Sequence, residues 1–237
     1  MAPAARRFDY VLLDCDGTLL DTLSDLAAAG NHVCALHGWE PYSLEEYKRK
    51  VGNGQRVLAS RIVPPELAGD EALVDEVYRE FCAYYAHHKE DHTAPYSGMV
   101  AALERMQAAG AVLGVLTNKD QAAAEALVAR YFGGLLPVVQ GRVDAMPAKP
   151  EPPMTLALME KLGAVPERTL MVGDTAVDIA CGTNVGIATC GVLWGFRDRD
   201  ELVAAGADKL VEMPAELAAW VLGEFDLSAK RPSVGKK

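Results

Sequence analysis

The chain has 237 residues and a formal net charge of −10, from 33 acidic against 23 basic side chains. Such acidity disfavours nucleic acid and anionic membranes as partners, since both want a basic face, but it does not exclude a small anion held by local positive charge. Half of the residues are hydrophobic, yet no apolar stretch nears the roughly 20 residues that cross a bilayer.

The N-terminal MAPAARRFDY carries two arginines with no apolar region behind them and reads as no signal peptide. The five cysteines are scattered and form no CxxC pair, so neither a zinc ribbon nor a disulfide framework is indicated. A reducing cytoplasm is the expected setting. Tyr10–Asp14 is a short apolar run that ends in acid and glycine. From Leu23 to Thr93 strand-like runs disappear, and four helical stretches follow one another: LSDLAAAGNHVCALHG, SLEEYKRKVG, GQRVLASRIV and EALVDEVYREFCAYYAHH. Glycine and proline punctuate them. Apolar runs then return at Ala111–Thr117, Pro137–Gln140, Thr169–Asp174, Gly186–Leu193 and Lys209–Glu212, with helical segments such as Met99–Ala109 and Gln121–Tyr131 among them. Short apolar runs without alternation, separated by helices, predict a parallel sheet covered on both faces. The expected organisation is an α/β core over 1–22 and 94–226, a helical domain inserted at 23–93, and a basic, disordered tail at 227–237.

In an open parallel sheet, ligands bind beyond the carboxyl ends of the strands. The first run ends in Asp14-Cys15-Asp16-Gly17-Thr18, the second in Thr117-Asn118-Lys119, and the fourth in Gly173-Asp174-Thr175, with Asp178 four residues beyond Asp174. Lys149 lies in the loop before the helix that leads to the fourth run. Gathered carboxylates repel one another unless a cation sits among them. Oxygen-only ligands suit a hard ion such as Mg²⁺. A lysine and a threonine hydroxyl beside it are donors for a phosphoryl group. One carboxylate can then attack phosphorus, and a second can move the proton. An Asp after a strand is also a common helix N-cap, so the weight rests on the whole set.

That set resembles the haloacid dehalogenase superfamily, whose four motifs stand in order between residues 14 and 178: DxDGT at 14–18, the threonine Thr117, the lysine Lys149, and GDxxxD at 173–178. The resemblance implies a Rossmann-like core with an inserted helical cap. It implies Asp14 as nucleophile and metal ligand, Asp16 as general acid and base, Thr117 and Lys149 as phosphate-binding catalytic groups, and Mg²⁺ as cofactor. The candidate ligand set is Asp14, Asp16, Asp174 and Asp178, the last either through water or by orienting Lys149. Haloacid dehalogenases lack the second Asp and phosphonatases carry alanine there, so Asp16 implies phosphate ester chemistry. VGNG at 51–54, LTNK at 116–119 and KPEPP at 149–153 are similar to phosphoglycolate phosphatases. In those enzymes the glycine-rich loop folds over the site to choose the substrate.

The expected activity is hydrolysis of a small phosphorylated metabolite, with 2-phosphoglycolate first, by a monomer or homodimer. The alternatives are a pyrophosphatase, a nucleotidase, a sugar-phosphate phosphatase, a β-phosphoglucomutase, or a phosphate-binding regulator without turnover. Asn118 either donates to phosphate or caps the next helix. Gly52, Asn53 and Gly54 form either a substrate loop or a plain turn. One of Lys48, Arg49, Lys50 and Arg56 is a candidate to meet a substrate carboxylate. A cysteine phosphatase built on Cys15 wants arginine six residues on, and Asp21 stands there. Cys15 therefore reads as a spacer.

Overall fold

The computed structural model describes residues 6–224, so the tail at 227–237 lies outside the described residues. Six strands form one parallel sheet: β1 (Tyr10–Leu13), β4 (Val112–Asp120), β5 (Val139–Arg142), β6 (Thr169–Gly173), β7 (Ala188–Val192) and β8 (Lys209–Val211), ordered β5-β4-β1-β6-β7-β8. Helices α5 (Met99–Ala108), α6 (Gln121–Phe132), α7 (Pro152–Leu162), α8 (Ala176–Thr183), α9 (Arg199–Ala204) and α10 (Pro214–Val221) connect and cover it. Both faces are buried, which is why the strands read as unbroken apolar runs. Val11, Leu13, Val115 and Val172 pack on one side with Met99, Leu103 and Leu217. Leu12, Leu116 and Met171 pack on the other with Met154, Leu158 and Cys181.

The order of the sheet places the site. β1 lies between β4 and β6, with Leu13 level with Val115 on one neighbour and Val172 on the other. The residues just beyond β1 therefore emerge beside Thr117 and Asp174. The crossing from β1 to the far half of the sheet is the topological switch point at which such folds hold ligands.

Between β1 and the rest of the sheet stand α1 (Leu23–His37), α2 (Leu44–Lys50), α3 (Gln55–Ile62) and α4 (Glu71–His88). They pack on one another around an apolar cluster of their own, in which Tyr47, Phe81, Tyr85, Leu26 and Leu58 are buried. Ser43 starts α2 with a reciprocal capping box to Glu46, and Asp70 caps α4 through the N–H groups of Ala72 and Leu73. One pair of elements has no counterpart in the sequence pattern. The chain leaves the core through β2 (Leu20–Asp21) and returns through β3 (Ala94–Pro95), and these two-residue strands pair antiparallel. Strands that short carry no periodicity, and their pairing depends on chain ends brought together by the rest of the fold.

Candidate active site

β1 delivers Asp14 to the sheet edge, where its amide donates to Val172 O at 3.0 Å. The chain turns back at once. Gly17 has φ +82°, and a Cβ there would lie 2.3 Å from Asp174 Oδ2, so only glycine fits both the turn and the approach. Thr18 then points its hydroxyl at Asp174 Oδ1 (3.0 Å). The alternation of side chains sends Cys15 the other way, into the apolar cluster under the sheet, where it is fully buried. Burial, with Asp16 adding to it, pushes that thiol well above its ordinary value, so it is no nucleophile.

Asp14, Asp174 and Asp178 each offer a carboxylate oxygen, all within 4.8 Å of one another, and all three residues are buried. Asp174 comes from the end of β6 and also accepts from Phe196 N (2.8 Å). Asp178 sits in the first turn of α8, where Oδ2 accepts from the Thr175 amide (3.1 Å) and hydroxyl (2.8 Å). Lys149 Nζ lies 2.7 Å from Asp178 Oδ1 and 3.0 Å from Asp14 Oδ1. Burial opposes the lysine charge, but Asp14 and Asp178 outweigh it and lift the pKa above the ordinary lysine value. Even with that cation, burial and the neighbouring carboxylates Asp178 and Asp16 hold the Asp14 carboxyl up at about 6, against Lys149. Asp174, buried beside Asp178 and Asp14, is raised well above its ordinary value. Three buried carboxyls, oxygen donors only, and more negative charge than one lysine offsets form a donor set that fits a hard divalent cation.

The end of β4 supplies the other wall. Thr117 is buried, and its hydroxyl accepts from Lys119 N (3.3 Å) while its own hydrogen has no acceptor among the described residues. The Asn118 carboxamide brackets Lys149, accepting from its amide (2.8 Å) and donating to its carbonyl (3.1 Å). It also reaches Gly52 O at 3.4 Å. Lys119 is buried, with Nζ 3.0 Å from Asp16 Oδ1 and 2.8 Å from the Tyr85 hydroxyl of α4. Asp16 takes a further bond from Thr22 Oγ1 (2.8 Å). Its carboxylate is thus committed to Lys119 and Thr22, apart from the group formed by Asp14, Asp174 and Asp178.

A cavity with space for water of about 30 Å³ lies between the sheet edge and the insertion. Asp14, Asp16, Thr117, Asn118 and Lys119 line it from the core. Gly52, Gly54, Gln55 and the apolar Leu26, Val51 and Leu58 line it from the insertion. Gly54 has φ +92°, and a Cβ there would come within 3.2 Å of Asn118 O, so the glycine lets the loop sit on the core. The Asn53 side chain instead accepts from Arg61 Nη2 (2.7 Å) and braces the loop.

The sequence profile of the haloacid dehalogenase-like hydrolases matches residues 11–192. The chain belongs to this family. It is 33% identical over 193 residues to a phosphoglycolate phosphatase of Agrobacterium fabrum, covering 79% of this chain and 81% of that one. It is also 33% identical over 217 residues to an N-acetylmuramic acid 6-phosphate phosphatase of Pseudomonas aeruginosa, covering 89% and 93%. Among solved structures, a Lactobacillus delbrueckii subsp. bulgaricus protein provisionally described as a phosphoglycolate phosphatase superposes with a TM-score of 0.87 at 28% identity, covering 92% and 99%.

In this haloacid dehalogenase-like hydrolase the structure brings together Asp14, Asp174, Asp178, Lys149, Thr117 and Asn118, and places Asp16 on the adjoining wall. The cations around the glycine loop lie elsewhere. Lys48 pairs with Glu45 and Arg56 with Glu71 and Asp75, while Lys50 donates to Arg61 O and stacks 3.7 Å from the Tyr42 ring centre. None of Lys48, Arg49, Lys50 and Arg56 lines the cavity. Sequence reasoning gave no role to Lys119, Thr18, Thr22, Gln55 or Arg197. Arg197 donates from the core to the carbonyls of Lys48 and of Val51 (2.7 Å) at the end of α2, tying the insertion down. A helix C-terminus seeking donors was the one available signal, and it named no partner. No helix among the described residues is long and apolar enough to cross a membrane.

Proposed function

We propose that the protein hydrolyses a small phosphate monoester through a phosphoryl group held on Asp14, with Mg²⁺ in the Asp14–Asp174–Asp178 cluster and 2-phosphoglycolate as the substrate to test first. The observation that carries this reading is the placement of Asp14: a buried carboxylate at the C-terminal end of β1 that lines the cavity, beside two further acids and braced by Lys149. When bound, the metal supplies charge neutralisation for the phosphoryl group and lets three buried carboxylates ionise together.

The residues divide the work as follows. Thr117 donates its free hydroxyl hydrogen to a phosphoryl oxygen, and Lys149 offers positive charge from behind Asp14. Asp14 attacks phosphorus as the bond to the ester oxygen breaks. Asp16, two residues on and on the cavity wall, gives a proton to that oxygen. It later takes one from the water that attacks phosphorus, freeing Asp14 and releasing inorganic phosphate. Asn118 keeps the Lys149 loop in register with the end of β4. The insertion acts as a cap, with Gly52 and Gly54 resting on the core over the cleft.

The N-acetylmuramic acid 6-phosphate phosphatase relative supports a second reading, a bulky sugar phosphate. The narrow cleft under the insertion, with about 30 Å³ of space for water, favours the smaller substrate. A panel of 2-phosphoglycolate, sugar phosphates including N-acetylmuramic acid 6-phosphate, nucleotides and pyrophosphate, assayed with Mg²⁺, decides between them. Phosphoglycolate hydrolysis no faster than that of the others removes it as first choice. Absence of Mg²⁺-dependent phosphate release from every ester overturns the phosphatase reading.

A further inference from the structure

The segment between β7 and α9 touches the insertion and the acidic cluster at once. Trp194 Nε1 donates to Thr18 O (3.0 Å). The chain passes Asp174 so closely at Gly195 that a Cβ there would lie 2.3 Å from the Asp174 Cβ. The Phe196 amide donates to Asp174 Oδ2 (2.8 Å), while its ring is buried in the apolar cluster of the insertion. Arg197 follows. Its guanidinium donates to the carbonyls of Lys48, Arg49 (3.4 Å) and Val51 (2.7 Å) at the end of α2, and Nε lies 3.2 Å from Glu201 Oε2. Glu201 Oε1 in turn accepts from the amide of Ala176 (3.1 Å), the first residue of α8. Asp178 stands in that same turn.

We propose that Arg197 is a positioning residue that couples the seating of the insertion to the acidic cluster. The inference rests on the reading of that cluster as a Mg²⁺ site. The physical case lies in how one guanidinium is divided. A helix leaves its last carbonyls without helical partners, and its C-terminus is the negative end of the dipole. The planar fork of an arginine can serve several such carbonyls and still turn an edge to a carboxylate. The bonds to α2 need the insertion to lie on the core. If it lifts, the guanidinium keeps Glu201 alone. Phe196 carries the effect to Asp174, because its ring belongs to the insertion and its amide to the carboxylate, and it cannot keep both when the two part. Glu201 carries it to the first turn of α8, which holds Asp178. A seated insertion therefore fixes one oxygen of Asp174 and the start of α8, and a lifted one leaves both looser. Two sites coupled in this way must favour each other by the same factor.

Two measurements on the full-length protein read the coupling from its two ends. Calorimetry with Mg²⁺ alone compares wild type, Arg197→Ala and Arg197→Lys at pH 7.5. Arg197→Ala should bind Mg²⁺ at least about fivefold more weakly, and Arg197→Lys, which keeps the charge but not the fork, should fall between. Hydrogen exchange without metal reads the other direction. Asp174 bonds to Thr18 and Phe196, both in the core. Asp174→Ala should nonetheless speed exchange of the hydrogen-bonded amides of Val51 and Leu58 by about fivefold or more, relative to the amides of α4. Mg²⁺ affinity unchanged in Arg197→Ala, or exchange at Val51 and Leu58 unchanged in Asp174→Ala, overturns the proposal. A lower Tm with both readouts at the wild-type value is what a merely structural arginine would give, and it overturns the proposal too. Wild-type protein that binds no Mg²⁺ overturns the metal-site reading, while the exchange measurement still decides the coupling.

Discussion

Asp14 occupies a place that a carboxylate tolerates poorly. Burial and two neighbouring acids oppose its charge, and Lys149 repays only part of that. The strain is useful if the charge is to be spent on phosphorus. Asp14→Asn keeps the shape and removes the proposed nucleophile, so turnover should fall at least about a thousandfold while the circular dichroism spectrum and unfolding cooperativity stay native. An asparagine variant with wild-type turnover would end the covalent mechanism. The next residue tests the opposite expectation. Cys15 lies fully buried in the core cluster, and its thiol is held protonated. Cys15→Ala should keep kcat within about twofold and cost on the order of 1 kcal/mol of stability. Cys15→Ser buries a hydroxyl among apolar groups and should cost about 1–3 kcal/mol, seen as a lower Tm at unchanged turnover per folded molecule. A large kcat loss in Cys15→Ala would return the sulfur to the mechanism.

At the scale of elements, the end of β4 and the last turns of α4 meet in one contact. Lys119 Nζ holds Asp16 on one side and the Tyr85 hydroxyl on the other. The lysine thus links the insertion to Asp16, the carboxylate proposed to move the proton. Tyr85→Phe removes one hydrogen bond to a charged amine, worth about 1.5–3 kcal/mol, and leaves Asp16 its lysine. We predict that it raises KM by about tenfold with a smaller change in kcat. Lys119→Met leaves Asp16 with Thr22 alone and should lower kcat more than it raises KM. Steady-state kinetics on both variants separate the two effects, and a kcat unchanged in Lys119→Met would remove the lysine from positioning Asp16. This contact also marks where the sequence stops being readable. Asp14, Thr117 and Asp174 were legible because each stands at the end of a run whose burial on both faces leaves an unbroken apolar signature. The four helices of the insertion were legible as helical stretches separated by glycine and proline. The partner of Lys119 was not, because Tyr85 reads as one more aromatic at helical spacing with Phe81, and only the docking of α4 on the core turns its hydroxyl into a ligand for an amine. Arg197 and the β2–β3 ribbon share that reason: each is defined by a contact between distant segments, and neither leaves a local pattern.

For the whole molecule, the acidic cluster couples folding to protons and, through the proposed cation, to metal. The folded-state carboxyl of Asp14 is held at about 6 against an ordinary 3.8, and Asp174 is raised as well. A raised carboxyl binds its proton more tightly in the folded than in the unfolded chain. Its stabilising contribution is present below the ordinary value and is lost as pH climbs through the folded one. For Asp14 that window runs from about 4 to about 6, and the loss is roughly 3 kcal/mol once it is ionised. Asp174, raised by burial and by Asp178, acts in the same direction. A divalent cation in the proposed site would bind the ionised cluster and reverse the effect by mass action, but at pH 5 it would compete with protons. The metal-free protein should therefore lose Tm between pH 5 and pH 7, and millimolar Mg²⁺ should raise Tm clearly at pH 7.5 and little at pH 5. Asp9 and Glu46 titrate in the other sense, Asp9 lowered by its hydrogen bond to Arg168 and Glu46 by its bonds to Ser43. The comparison that isolates the cluster is wild type against Asp14→Asn, measured by thermal unfolding across this range with and without Mg²⁺. Asp14→Asn should flatten the pH slope and shrink the Mg²⁺ shift. A Mg²⁺ shift of equal size at both pH values, or one that Asp14→Asn leaves intact, would place the metal somewhere other than these three carboxylates.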